Sequence, residues 1–163
     1  MWIDPSPSGA DPSPTDVEPE PTRGGLSSLG AAVDLDRVEA MQLLAHAPCG
    51  RVVFTRDALP AIRPVRHIVR DDRIFVLVRL HSRPSEAIGE RDRVVVAYEV
   101  DNLDPGGQTG WAVVVTGPAY PITDPDLIAR YDPILRTWLD GTDDVVVAIE
   151  PTIVTGFARA GPH

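Results

Sequence analysis

The sequence lacks lysine altogether, and all 15 basic residues among its 163 positions are arginines. Because a Schiff-base enzyme and a P-loop nucleotide site each depend on a lysine, both classes are excluded. The formal net charge of −9 leaves few cations for tracking phosphates along a polymer or a lipid surface. We therefore expect no nucleic-acid partner and no membrane partner.

Cysteine and long apolar runs are also scarce. The one cysteine, Cys49, can form neither an intrachain disulfide nor a multi-cysteine zinc site. The four histidines are scattered and match no metal-binding motif, so we expect no metal site. No stretch approaches the roughly 18 apolar residues of a membrane span, and the first residues form no basic and apolar leader. These features predict a cytoplasmic protein.

Proline is concentrated near the start of the sequence. Residues 1–33 hold 6 of the 17 prolines among mostly Ser, Asp, Glu, Gly and Thr, with no helical or strand periodicity. Such a segment cannot bury enough apolar surface to offset the entropy of ordering it. We predict a disordered tail over residues 1–33 and a single domain over residues 34–163.

Helix signals are few in this domain. The first predicted helix covers residues 35–46, with Asp34 or Asp36 as N-cap and Glu39 at capping-box spacing from Asp36. A second covers residues 84–91, after a cap at Ser82 or Arg83. A third starts at Asp124-Pro125 and runs toward Trp138 with an interruption at Pro133.

The remaining elements are predicted strands, with a tight hairpin at Asp71-Asp72. The runs IFVLV, VVVAY, WAVVV and VVVAI are apolar at consecutive positions, which predicts burial on both faces. Hairpin connections favour a small barrel over a doubly wound fold. The outer face of such a barrel needs a helix or a second subunit, so we predict a strand-made homodimer. The predicted strands are residues 51–55, 61–70, 73–79, 94–100, 111–120, 145–149 and 152–158.

Cations gather in the two adjacent strands predicted at residues 61–70 and 73–79 and at the following helix cap. If these strands pair, the arginines meet beside a helix N-terminus, which suits a phosphate. The alternative is that they are solvated or pair with nearby acids, namely Asp71, Asp72, Glu86, Asp92 or Glu99. The cationic and polar residues concerned are Arg63, Arg66, His67, Arg79, His81, Ser82 and Arg83.

Five motifs occur in a characteristic order: PCGRVVFT at 48–55, LPAIRPV at 59–65, EVD at 99–101, GWAVVVTGPA at 110–119 and PTIVTG at 151–156. Together, across about residues 35–159, they resemble the FMN-binding split-barrel family typified by pyridoxamine 5′-phosphate oxidase. The resemblance is to its short bacterial branch, which also contains nitroimidazole-reductase-like proteins.

This resemblance implies a mostly β fold with peripheral helices: a six-stranded split barrel, homodimeric, with FMN bound at the subunit interface. It implies that the segment from Pro64 to His67 runs along the isoalloxazine ring, and that Arg79, Ser82 and Arg83 face the phosphate. A flavin also needs apolar surface on its ring and a positive group near N1, for which Arg66 or His67 is a candidate. The predicted cofactor-binding residues are Arg63, Pro64, Val65, Arg66, His67, Val76, Arg79, Ser82, Arg83 and Trp111.

The function implied is an FMN-dependent oxidoreductase that acts on a small organic substrate. One alternative is a reductase on the same fold that uses the deazaflavin F420, whose acidic tail needs a longer basic groove. Arg63, Arg66, Arg79 and Arg83 are the candidates for such a groove. Another alternative is a non-catalytic flavin- or haem-binding protein, because cofactor chemistry requires no protein acid, base or nucleophile.

Overall fold

The computed structural model describes residues 31–79, 93–106 and 108–160. Within these ranges the chain forms two helices, α1 (Arg37–His46) and α2 (Pro125–Leu135), neither of which is long and apolar enough to cross a bilayer. The predicted helix over residues 84–91 lies outside the described ranges. The strands are β1 (Val33–Asp34), β2 (Gly50–Arg56), β3 (Leu59–Val65), β4 (His67–Arg70), β5 (Arg73–Val78), β6 (Val94–Leu103), β7 (Gly110–Pro121), β8 (Val145–Ile149) and β9 (Ile153–Arg159).

Helix α1 begins at the predicted capping box. The Asp36 carboxylate accepts a hydrogen bond from the Glu39 N–H at 2.9 Å, and the Glu39 carboxylate accepts one from the Asp36 N–H at 3.1 Å. These reciprocal bonds satisfy two N–H groups in the first turn. Of the two predicted caps, Asp36 is therefore the one used, while Asp34 is paired with Phe157 in the sheet.

The first described strand starts at Val33, one residue before the domain start predicted at residue 34. Val33 pairs with Ala158 as part of β1, although its side chain is 64% exposed. Backbone pairing to β9, and not apolar burial, holds this residue in place. Residues 1–30 lie outside the described ranges, so the tail over residues 1–33 stays a prediction.

All the described strands belong to one antiparallel sheet. Its main path runs β3-β2-β6-β7-β8-β5-β4, with β9 on β7 and β1 on β9. Only Arg66 separates β3 from β4, the strands at opposite ends of this path. Since adjacent residues lie about 3.8 Å apart, the sheet must curl until its ends meet. The result is a curled half-barrel, consistent with the expected split barrel; the count of six barrel strands stays a prediction.

The predicted single strand over residues 61–70 is two strands. The chain pairs with β2 as far as Val65 and with β5 from His67 onward, so it changes partner at Arg66. The sequence does not reveal this change of partner, because residues 61–70 have similar β propensity throughout and both halves form regular strands.

The hairpin between β4 and β5 turns at Asp71 and Asp72, as predicted. Both residues adopt positive φ, 50° and 55°, the backbone region that type I′ hairpin turns require. The turn sets the register in which His67 lies opposite Val76 and Arg70 opposite Arg73.

Strand β5 is covered on both faces, as its IFVLV run predicts. Ile74, Val76 and Val78 pack in the main core inside the curled sheet, whereas Phe75 and Leu77 pack in a second cluster with helix α2. The VVVAI run of β8 likewise contributes to both clusters.

Within the described chain the runs in β6 and β7 are covered on one face only, so the cover of their second face by a second subunit stays a prediction. Val96 of β6 is buried while its neighbour Val95 is 71% exposed, and Val113 of β7 is buried while Val114 is 37% exposed. Both helices pack elsewhere, α1 into the main core and α2 against β5, so the outer face of these strands has no cover from the described chain.

Helix α2 does not break at Pro133 as predicted; it continues through that residue and ends at Leu135. The proline removes one backbone hydrogen bond. Packing compensates for the loss, because Tyr131 and Leu135 are buried in the second cluster, with the Tyr131 ring 4.8 Å from that of Phe75.

Strand β7 changes partner beside Gly117. On one edge it pairs with β9 up to Thr116 and with β8 from Ala119 onward. The connection between β8 and β9 crosses at this point, where the Thr152 N–H donates to the Thr116 carbonyl at 3.1 Å. A Cβ on Gly117 would lie 1.8 Å from the carbonyl oxygen of Glu150. Glycine therefore permits the crossing that lets two strands share one edge.

We predict that Gly117→Ala destabilises the fold by about 3 kcal/mol or more, because the added methyl group meets rigid backbone. Urea unfolding followed by circular dichroism measures the change. Gly141→Ala is the matched control, since a Cβ there has no neighbour closer than 3.9 Å. Equal stability of the two variants would contradict this account of the crossing.

Candidate functional site

An open cleft of about 380 Å³ brings together Arg63 and Arg79, two arginines of the predicted cationic cluster. Its walls come from the β2–β3 hairpin, the end of β5 and the segment that joins α2 to β8, which we call the acidic turn (residues 136–144). Other lining residues are Phe54, Arg56, Ile62, Leu139 and Asp144.

Arg63 binds the acidic turn through one nitrogen of its guanidinium. Its Nη2 donates to Asp140 Oδ1 at 2.9 Å, to Asp144 Oδ2 at 2.5 Å and to the Leu139 carbonyl at 3.0 Å. The carboxylates of Asp140 and Asp144 are only 2% and 3% exposed. Because a buried carboxylate without its partner is strongly destabilising, these ion pairs fix the turn against β3.

Both carboxylates also hold the turn from within. Asp140 Oδ2 accepts from the N–H and the hydroxyl of Thr137, at 2.5 and 3.0 Å. Asp144 Oδ2 accepts from the Gly141 N–H at 2.8 Å. With these additional donors, each buried charge has the hydrogen bonds that it needs.

Arg79 has a weaker attachment. Its Nη2 donates to Asp143 Oδ2 at 2.5 Å, and the Asp143 side chain is 71% exposed. Its Nε is buried and has no hydrogen-bond partner in the described part of the chain. Every other buried side-chain nitrogen or oxygen in residues 31–79, 93–106 and 108–160 has one. One side of the Arg79 guanidinium therefore has unmet donor capacity.

Within the described residues, the acids that pair with these arginines are Asp140, Asp143 and Asp144, which were not proposed from the sequence, while Glu86 and Asp92 lie outside the described residues. Of the nominated partners, Asp72 pairs with Arg37 at 2.8 Å and Glu99 pairs with Arg51 at 2.7 Å, both away from the cleft. The run Asp140-Gly-Thr-Asp143-Asp144 directly before β8 is the signal that sequence reasoning missed. This run predicts partners for Arg79 only if it is known that β8 pairs with β5.

A second ion network lies on the outer face of β2 and β6. Arg51 Nη1 donates to Glu99 at 2.7 Å and to Asp101 at 2.8 Å. The hydrogen bond from Arg51 lowers the pKa of Asp101 below its ordinary value. This carboxylate is therefore charged at neutral pH.

His67, a predicted flavin contact, is half-buried between β4, α1 and β6. Its Nε2 lies 2.7 Å from the Leu44 carbonyl oxygen, which can only accept, so Nε2 carries the proton. Its Nδ1 then accepts from the Tyr98 hydroxyl at 2.7 Å. Burial raises the pKa of Tyr98, so this hydroxyl keeps its proton. His67 thus links β4, helix α1 and β6.

The other predicted residues differ in accessibility. Pro64 and Arg66 are exposed at the break between β3 and β4, and Val65 beside them is buried. Val76 is fully buried in the main core, so no side-chain surface is open to a ligand. Trp111 is half-buried against the same core. Ser82 and Arg83 lie outside the described residues.

The shielded position of His67 predicts a pH dependence of stability. Burial lowers the pKa of His67 below its ordinary value of 6.5, so the folded chain takes up the proton less readily than the unfolded chain. As the pH falls below about 6.5, the unfolded state gains a proton that the folded state lacks. The free energy of unfolding should then fall by up to about 1.4 kcal/mol per pH unit.

His67→Gln should flatten this slope between about pH 5 and pH 7, measured by urea unfolding at a series of pH values. His46→Gln is the control, because that imidazole is exposed at the end of α1. An unchanged slope in the His67 variant would show that another group controls the dependence.

Comparison with known proteins identifies relatives over most of this domain. The family model described as pyridoxamine 5′-phosphate oxidase matches residues 36–158. The uncharacterized protein Rv0080 of Mycobacterium tuberculosis is 56% identical over 127 residues, which cover 77% of this chain and 84% of that protein.

Solved structures share the fold. The FAD binding protein from Mycobacterium smegmatis is 26% identical with a TM-score of 0.55, over 76% of this chain and 97% of that one. A conserved protein from Corynebacterium diphtheriae is 25% identical with a TM-score of 0.57, over 79% of this chain and 98% of that one. The match to the family model and the curled antiparallel sheet agree, and the chain belongs to the pyridoxamine 5′-phosphate oxidase family.

Proposed function

We propose that this chain binds FMN in the cleft and acts as an FMN-dependent oxidoreductase on a small organic substrate. The observation that carries the proposal is the meeting of Arg63 and Arg79 in a cleft that also has apolar walls. The FAD binding protein from Mycobacterium smegmatis, at 26% identity, supports a flavin as the ligand.

The residues of the cleft fit a flavin phosphate and ring. Arg79 has an unpartnered buried N–H and an exposed counterion, so it has capacity for an anionic oxygen. Phe54, Ile62 and Leu139 offer apolar surface, and a volume of about 380 Å³ lies within the usual range of small-molecule sites. When bound, the flavin supplies the electron or hydride transfer, and the chain supplies binding and orientation.

Arg66 is our candidate for the positive charge near the flavin ring. It is exposed at the β3–β4 break, and no hydrogen bond or ion pair engages it within the described part of the chain. Both nitrogens of His67, the other candidate, are committed to Leu44 and Tyr98. An arginine also keeps its charge at every physiological pH.

The charge balance of the cleft favours FMN over F420. Arg63 faces Asp140 and Asp144, and Arg79 faces Asp143, so these arginines do not form an open basic groove. A ligand with a long acidic tail would meet these carboxylates as well as the arginines. The single phosphate of FMN is small enough to bind one arginine, so only one arginine has to leave its carboxylate partner.

We predict that the purified chain takes up FMN, seen as quenching of flavin fluorescence. Arg79→Gln should weaken FMN binding about tenfold or more, because a charge-assisted hydrogen bond to the phosphate is lost. Binding of riboflavin, which has no phosphate, should not change. Arg70→Gln is the matched control, since this exposed arginine lies at the opposite end of the β4–β5 hairpin.

Parallel titrations with FAD and F420, and mass spectrometry of any copurified ligand, distinguish the cofactors. A chain that stays colourless and takes up no flavin would overturn the proposal. Turnover with a reduced nicotinamide and quinone or nitro acceptors tests catalysis, and flavin or haem binding without turnover would favour a storage or sensing role.

We further propose that the chain is a homodimer whose interface includes the outer face of β2, β3 and β6. Val53, Ile62 and Ala97 are aligned across these three strands. Ile62 is 67% exposed and Val95 on the same face is 71% exposed, with the ion network of Arg51 beside them, and exposed apolar side chains bordered by polar groups are typical of an interface. Ile62 also lines the cleft, so a partner on this face would border the ligand.

Sedimentation should therefore show a dimer for the natural chain, and a monomer for the double variant Ile62→Asp with Val95→Asp, because two buried carboxylates disfavour the interface. The double variant should also bind FMN more weakly. Val38→Asp is the control, since Val38 is 63% exposed on helix α1. A monomeric natural chain would refute the dimer while leaving flavin binding to its own test.

A further inference from the structure

The two arginines of the cleft are held by carboxylates of different kinds. Asp140 and Asp144, the partners of Arg63, are almost completely buried and also accept hydrogen bonds within the acidic turn. Asp143, the partner of Arg79, is 71% exposed, and its described contact is the one to Arg79. The ion pairs of Arg63 are therefore buried within the fold, whereas the ion pair of Arg79 with Asp143 lies at the surface.

We propose that Asp143 is an internal competitor for a phosphate monoester at Arg79, and that it sets the affinity and charge selectivity of the cleft. The proposal rests on the proposed binding of FMN and assigns different roles to the two arginines. Arg79 is the residue that exchanges partners. Arg63 is a structural clamp that keeps the acidic turn in position.

The burial of each carboxylate decides which arginine can exchange. To release Arg63, a ligand would have to leave Asp140 and Asp144 charged and buried without their cation, which is strongly unfavourable. To release Arg79 from its partner in the described part of the chain, Asp143 has to rotate into water, where its charge is well solvated. Incoming phosphate therefore replaces Asp143 and not the partners of Arg63.

The chemistry of the two anions favours the exchange. Asp143 engages Nη2 of Arg79 and leaves Nε without a partner. A phosphate monoester carries a charge of about −1.5 to −2 at pH 7 and has three acceptor oxygens, so it has both more charge and more acceptors than one carboxylate. A ligand without a phosphate has nothing to exchange with Asp143, so the competition acts selectively on phosphorylated ligands.

Asp143→Asn tests the proposal, because it keeps the size of the side chain and removes its charge. We expect FMN to bind about two- to fivefold more tightly to this variant, the effect of removing one exposed ion pair that competes with the ligand. Riboflavin affinity should stay unchanged. Asp72→Asn is the matched control, because Asp72 is 64% exposed and pairs with Arg37. This substitution changes the net charge of the chain by the same amount.

Thermal stabilisation by inorganic phosphate provides a second readout that needs no flavin. Phosphate should raise the melting temperature of the Asp143→Asn protein more than that of the natural chain or the Asp72→Asn protein. Equal phosphate responses in all three proteins, or unchanged FMN affinity in Asp143→Asn, would overturn the competitor role. Failure of all three to bind FMN, with the phosphate difference intact, would instead overturn the proposed cofactor and keep the anion site.

Discussion

The buried ion pairs of Arg63 with Asp140 and Asp144 define the candidate site, because they hold the acidic turn against β3. The turn forms one wall of the cleft and carries the carboxylate that meets Arg79. A buried ion pair of this kind adds little net stability over an apolar contact, but breaking it is costly. Its effect is therefore on specificity: the turn has one strongly preferred position, and the cleft has a defined shape.

The curl of the sheet explains why Arg63 and Arg79 are neighbours at all. They lie on β3 and just after β5, which belong to opposite ends of the strand path. The change of partner at Arg66 joins those ends, so a break of one residue brings distant edges together. His67, directly after the break, is fixed by Leu44 and Tyr98, which ties the junction to α1 and β6. The same histidine therefore supports the site without facing it.

Local signals in the sequence predicted local structure well. The capping box at Asp36 and Glu39 and the hairpin at Asp71-Asp72 depend on residues within a few positions, and both are present. The partner change at Arg66 and the pairing of Arg63 with Asp144 depend on which strands become neighbours. The apolar runs in β6 and β7 show the same dependence, because a valine-rich strand looks the same whether its second face is covered within one chain or by a second subunit.

In a chain whose cations are all arginines, position alone does not reveal which arginine binds a ligand. Each guanidinium is permanently charged and has several donors, so an arginine beside a carboxylate pairs with it whether or not a ligand site is near. The partner is more informative than the arginine itself. Where the partner is buried and bonded to other groups, as around Arg63, the arginine is committed to the fold. Where the partner is exposed and singly bonded, as for Arg79, the ion pair can exchange, and exchange is what a binding site requires.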